Sequence, residues 1–167
     1  MSIDAAKIWT NAPLIVLAAS ASVLGAAYVA QYGFGLEPCQ LCYWQRWPYL
    51  AILLLAPLGF LIGRKGAGKH WMLVLFAAIL ALDAGIAGFH VGVENHWWRG
   101  LESCGADGAA AQTIEDLRAQ IVGRAVVRCD EPAFVFLGLS MAGWNGLIAL
   151  ALAGFSLAAA LRQPRTR

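Results

Sequence analysis

Four cysteines and one arginine carry the chemistry this sequence offers first. Cys39 and Cys42 form a Cys-x-x-Cys, whereas Cys104 and Cys129 lie 25 residues apart. A disulfide across two intervening residues closes a very small loop, gains little chain entropy, and has a geometry associated with redox exchange. A bridge closing the second interval would stabilise its loop by roughly 3 kcal/mol on the chain-entropy account. Two further readings compete with redox chemistry. One is a pair of purely structural disulfides. The other is a four-thiolate zinc site, although structural zinc sites usually bring two close-spaced pairs, and the second pair here is not one.

The surroundings of Cys42 favour the redox reading. If a helix begins near Tyr43, the Cys42 sulfur sits at its N-terminus, where unpaired N–H groups and the helix dipole favour an anion. Arg46 follows four residues on, one turn along the same face. Both features stabilise a thiolate, the species that attacks a disulfide or donates electrons. Arginine keeps its charge at a membrane interface where lysine can lose it; the plainer reading of Arg46 is a snorkelling interfacial side chain. Pro48 implies either a late helix start or a kink near the site.

Asp83, His90 and Glu94 are spaced seven and four apart, which places them on one helical face. His90 and Glu94 fall near the level of Arg46, where they could move protons or pair with it. Asp83 is costly in an apolar span and is expected to face protein, water or a cofactor, as a packing element more readily than a catalyst. Ala84, Gly88 and Gly92 form a small-residue stripe that permits close helix approach. Gln45, His96, Ser140 and Asn145 receive no chemical role.

The elements that must hold these residues are set by composition. Of 167 residues 60% are hydrophobic and 13% charged, against about 25% charged in a typical soluble domain, which excludes an ordinary soluble globule. A net charge of +2 gives no footing for nucleic acid. Apolar stretches at 13–30, 43–63, 71–93 and 133–161 are each long enough for a membrane-crossing helix. The expected fold is an all-α four-transmembrane-helix bundle forming one integral membrane domain, 1–167. Its spans lie near 13–31, 43–63, 71–93 and 133–161, and its outer loops at 32–42 and 94–132. A cytoplasmic turn covers 64–70 and a tail 162–167. The first span also has features of a cleaved signal peptide, since Lys7 precedes it, but its apolar stretch is longer than a usual signal core.

Sidedness follows from the basic residues. Lys7, Arg64, Lys65, Lys69, Arg162, Arg165 and Arg167 share one side with Asp4 alone, whereas the long loop has seven acids against four arginines. Both termini are therefore expected in the cytoplasm, which places all four cysteines on the outer, oxidising side, where disulfides persist. Aromatic residues Tyr43, Trp44, Trp47, Trp97 and Trp98 mark the outer interface. Within the long loop, Thr113 and Asp116 form a cap-like pair at the start of a segment with Ile114, Leu117 and Ile121 at helical spacing, and Gly123 could end it. This predicts a short amphipathic helix, on the membrane surface or against the protein.

Four spans, the Cys-x-x-Cys followed by Arg46, the spaced pair in the second outer loop and the segment CDEPAFVFLGLSMAGWNG from Cys129 to Gly146 together resemble the DsbB family of disulfide-generating membrane proteins. The likeness covers essentially the whole chain. It implies a protein-dithiol:quinone oxidoreductase of the bacterial inner membrane, multi-pass, with its redox loops facing the periplasm. In this likeness Cys104 and Cys129 form the disulfide presented to a reduced DsbA-like thioredoxin partner. Cys39 and Cys42 form the membrane-proximal pair, and Cys42 meets a quinone, ubiquinone or menaquinone, from the lipid pool beside Arg46. From their level beside Arg46, and not from the likeness, His90 and Glu94 are also expected at the quinone site, and no metal is expected. The DsbA–DsbB–quinone relay is known to keep the bacterial periplasm oxidising. Two other functions remain to be separated from it: a disulfide-stapled membrane scaffold without turnover, and a reverse-flow enzyme similar to vitamin K epoxide reductases, whose redox motif lies elsewhere in the bundle.

Overall fold

A computed structural model of the chain describes residues 7–62, 66–101 and 127–162, together with Ile114 and Arg118. The described part is mostly helical. Helices α1 (Ala12–Gly33), α2 (Gln40–Ile62), α3 (Gly66–Glu94) and α4 (Met141–Arg162) are joined by a two-stranded antiparallel hairpin, β1 (Val135–Phe136) and β2 (Leu139–Ser140), which leads into α4. Three stretches, Ala12–Gly33, Gly68–Glu94 and Met141–Arg162, are long and apolar enough to cross a membrane. Helix α2 has 23 residues, about 35 Å at ~1.5 Å per residue. Large aliphatic side chains point outward from all four helices, among them Leu14, Leu54, Leu82 and Leu150. A helical surface this apolar suits lipid, not water.

Local chemistry sets the helix boundaries. Pro13 lies in the first turn of α1, where its missing N–H costs nothing, and Gly35 at φ 69° turns the chain after it. Helix α2 starts at Gln40, three residues ahead of Tyr43, and continues through both Pro48 and Pro57. Pro48 therefore does not delay the start; it leaves the Trp44 carbonyl without its usual partner inside the helix. Helix α3 ends in a Schellman motif. His96 takes the left-handed conformation at φ 57°, while its N–H bonds the Val93 carbonyl at 3.0 Å and the Trp97 N–H bonds the Gly92 carbonyl at 2.9 Å.

The last apolar stretch departs from the sequence expectation. It begins at Ala133, yet α4 starts only at Met141. Leu137 and Gly138, at φ 51° and 79°, form a two-residue turn of the primed kind that matches strand twist. The Ser140 hydroxyl then accepts the Gly143 N–H at 3.1 Å and caps α4. Hydrophobicity alone reads this run as helix, because the turn depends on backbone conformation and not on polarity. The amphipathic loop helix expected around Thr113–Gly123 lies outside the described residues, except that Ile114 and Arg118 are helical.

Val16, Leu24, Tyr49, Ile52, Ala56, Met72, Phe76, Leu80 and Ala153 form the central core, contributed by all four helices. Helices α3 and α4 make the most extensive contact. Small residues allow it: a Cβ added at Gly146 would sit 3.3 Å from the Ala87 Cβ. The Ala84–Gly88–Gly92 stripe is used differently from the close helix approach expected of it. Gly88 faces open space, and Gly92 lies directly beneath the Trp98 ring, leaving no room for a side chain. Trp98 folds back over α3, donating to the Phe89 carbonyl at 2.9 Å and stacking on the Phe89 ring. At the opposite end of the bundle His70 Nδ1 bonds the Ala160 carbonyl at 2.8 Å, tying α3 to the end of α4.

Candidate redox site

Cys39 and Cys42 carry free thiols, with their sulfurs 3.1 Å apart at the start of α2. Because the helix begins at Gln40, the position that collects its unpaired N–H groups belongs to Cys39 and not to Cys42. The Cys39 Sγ accepts the Cys42 backbone N–H at 3.3 Å, shares a hydrogen bond with the Cys42 thiol that favours it as the ionised partner, and lies 3.5 Å from His90 Nε2. A backbone N–H, a thiol and an imidazole nitrogen thus converge on one buried sulfur. The Cys42 hydrogen bond is the largest influence holding the Cys39 thiol far below its ordinary range, at about 4; His90 adds to it and burial opposes it.

Behind this sulfur runs a string of buried polar groups from three helices. The Tyr49 hydroxyl donates to Asn145 Oδ1 at 2.7 Å. Asn145 Nδ2 donates to Asp83 Oδ2 at 3.1 Å and to Gln45 Oε1 at 3.3 Å. Gln45 Nε2 meets His90 Nδ1 at 3.1 Å. Glu94 Oε1 lies 3.8 Å from His90 Nε2, and its other oxygen accepts the Ser140 hydroxyl, so the cap of α4 also secures the end of α3. Asp83, His90 and Glu94 do share one buried face, as their spacing predicts. Neither His90 nor Glu94 pairs with Arg46. Gln45, Ser140 and Asn145 had no role in the sequence reading because their partners lie on other helices. The one available signal was Asn145, the single amide in the stretch 133–161.

On the other side of the pair lies a cavity of about 560 Å³ between α1, α2, α4 and the hairpin. Cys42, Gln45, Arg46, Tyr49 and Asn145 provide its polar wall. The remainder is apolar, including Ala26, Ala30, Phe134, Phe136 and Trp144. Cys39, His90 and Glu94 do not line it. Arg46 donates to Gln31 Oε1 of α1 at 2.6 Å, and its guanidinium carbon lies 5.1 Å from the ring centres of both Tyr28 and Tyr43. These contacts fix the cation beside Cys42 without neutralising it. A volume within the ~300–1,000 Å³ of small-molecule sites, with a few donors at one end and hydrocarbon elsewhere, fits a quinone head with its apolar tail.

Cys129 is disulfide-bonded and fully buried, and it belongs to the same apolar cluster as Cys39, Leu41 and Val93. Arg128 reaches Asp130 through two hydrogen bonds of 3.0 and 2.6 Å, holding that carboxyl below the usual carboxylate range and bracing the chain around the cysteine. Cys104 lies outside the described residues. Cys39 Sγ, Cys42 Sγ and His90 Nε2 lie within 4.8 Å of one another, a spacing a soft cation could bridge.

The chain matches the family described as Disulfide bond formation protein DsbB over residues 10–159. It is 34% identical over 154 residues to Disulfide bond formation protein B of Xanthomonas campestris pv. campestris, covering 89% of this chain and 88% of that one. To the protein of the same name from Marinobacter nauticus it is 30% identical over 145 residues, covering 80% of each. No solved structure matches the chain.

Proposed function

Because the chain belongs to the DsbB family of disulfide bond formation proteins, we propose that it oxidises a periplasmic DsbA-like thiol partner and passes the electrons to membrane quinone. In this reading α2 crosses the bilayer with the other three helices, both termini are cytoplasmic, and the cysteines face the periplasm of a bacterial inner membrane. One observation carries the proposal. Both residues of the Cys-x-x-Cys pack in the apolar cluster that holds disulfide-bonded Cys129, and of the two only Cys42 also opens onto the cavity.

That division gives each residue a task. Cys104 and Cys129 form the disulfide offered to the partner, whose thiolate attacks Cys104 and frees the Cys129 sulfur. Cys129 then attacks Cys39 of an oxidised Cys39–Cys42 bond, forming one S–S bond as another breaks and releasing Cys42 as a thiolate. Arg46 holds a positive charge beside that sulfur, and the donors around Cys39 stabilise the charge that develops there whenever its own bonds exchange. A quinone in the cavity would supply a two-electron, two-proton acceptor, matching the two thiols oxidised per turnover. The apolar walls keep water from the reactive sulfur.

The test is direct. Purified protein, a reduced DsbA-like partner and either ubiquinone or menaquinone should consume one quinone per dithiol oxidised. Absence of turnover with both quinone classes would overturn the proposal.

A further inference from the structure

We propose that Asn145, anchored by Asp83 and Tyr49 in the middle of the bundle, is a positioning residue that fixes which nitrogen of His90 carries the proton, and so makes His90 a donor to the Cys39 sulfur. The inference deepens the redox reading of the site and rests on it.

A histidine ring beside a sulfur can serve in two opposite ways. With its proton on Nε2 it donates to a thiolate; with its proton on Nδ1 it offers Nε2 as a base to a thiol. The group on the far side of the ring decides between them. Here that group is Gln45, and an amide side chain can present either its oxygen or its nitrogen after a half-turn. Gln45 cannot settle the matter alone.

Asn145 settles it. Its Nδ2, a donor, faces Gln45 Oε1 at 3.3 Å, so reversing Gln45 would set two NH₂ groups against each other. Asn145 is itself held by two contacts of opposite sense, an acceptor carboxylate oxygen on its Nδ2 side and a donating hydroxyl on its Oδ1 side. Each amide therefore points its nitrogen along the string toward the next acceptor. The last NH₂ reaches His90 Nδ1 at 3.1 Å, leaving the proton on Nε2. Among the described residues the groups facing Nε2, the Cys39 sulfur at 3.5 Å and Glu94 Oε1 at 3.8 Å, can both accept. Asp83 and Asn145 touch none of the exchanging sulfurs. Their effect arrives as direction, carried through two amides whose senses are mutually locked.

The reading is open to nitrogen-15 NMR on the detergent-solubilised, reduced protein labelled at its three histidines, with His90 assigned by difference against His90→Gln. The unsubstituted protein should show His90 protonated on Nε2 with a bare Nδ1; a proton on Nδ1, alone or on both nitrogens, overturns the proposal. Asn145→Leu should give a mixture of tautomers and slow exchange at Cys39 roughly tenfold, the size expected for losing one hydrogen bond to a charged sulfur. The double substitution Asp83→Asn/Asn145→Asp exchanges the two side chains while keeping the same chemical groups. It should turn Gln45 round and move the proton to Nδ1. A folded double variant still protonated on Nε2 also overturns the proposal, and should that variant not fold, the unsubstituted and Asn145→Leu spectra decide. The spectra need neither quinone nor partner. A protein that fails to use quinone but shows this tautomer pattern would overturn the proposed function and leave the positioning role standing.

Discussion

On the cavity side of the cysteine pair the wall is largely hydrocarbon, with Arg46 as a fixed cation and Gln45, Tyr49 and Asn145 along one edge; on the His90 side the same two amides continue into imidazole and carboxyl groups. The two sulfurs that face these regions are 3.1 Å apart. Under the proposed function, such different surroundings over so short a distance let one motif take electrons from a thiol on one side and pass them to an oxidant on the other. In the proposed relay the sulfur that exchanges with another cysteine would sit among hydrogen-bonding groups that tolerate charge, and the sulfur that meets a lipid-soluble acceptor would sit where that acceptor dissolves. Helix geometry enforces the split, because Cys39 precedes the first turn of α2 and Cys42 lies within it.

The sharpest way to break this comparison is to remove one sulfur at a time. Cys42→Ser should reduce quinone-coupled turnover to background, yet leave Cys39 able to attack the neighbouring disulfide and accumulate a Cys39–Cys129 bond. Cys39→Ser should accumulate no such species. Mass mapping of trapped thiols reads the difference, and identical trapped products from both variants would erase the distinction between the two sides.

Arg46→Leu tests the cavity side alone. Loss of a fixed cation next to a charged sulfur should weaken quinone use by roughly 10- to 100-fold, while the rate of thiol exchange with the partner changes less than about twofold. Equal losses in both steps would mean that Arg46 merely holds α1 through Gln31.

Acidity tests the polar side. Cys39 is held at about 4 against an ordinary thiol value of 9.0, so its depressed value favours the folded, reduced site. That contribution is complete above pH 9, declines as pH falls through the interval, and is gone below about 4. The ultraviolet absorbance of the thiolate should therefore persist through neutral pH and fade only in acid. Cys42→Ala, which deletes the strongest donor, should move that fading upward; an unchanged midpoint would remove Cys42 from the account.

The smallest effect is expected at the join between the two sides. Ser140→Ala removes the cap of α4 and the partner of Glu94, and should lower stability in detergent by about 1 kcal/mol, read from thermal unfolding. A loss below a few tenths would show that Glu94 and the first turn of α4 find substitutes.

Much of this arrangement was legible in the sequence, for reasons specific to each part. The Cys-x-x-Cys and the Asp83–His90–Glu94 face depend on local spacing, and the apolar stretches on composition, so all three could be read without coordinates. The start of α2 could not, because the apolar stretch opens only at Tyr43 whereas the helix begins at Gln40, and the anion-favouring position passed from Cys42 to Cys39 as a result. The partners of Gln45, Asn145 and Ser140 come from helices up to 100 residues away, and no local pattern announces them. The hairpin before α4 was hidden by its own hydrophobicity.

The indole of Trp98 lying across Gly92 has a consequence for how this sequence can drift. Position 92 is closed to every side chain while the ring stays where it bonds the Phe89 carbonyl and stacks on the Phe89 ring. The two sites are therefore expected to vary as a pair: descendants that exchange the tryptophan for something smaller gain freedom at 92, and those that keep it are confined to glycine.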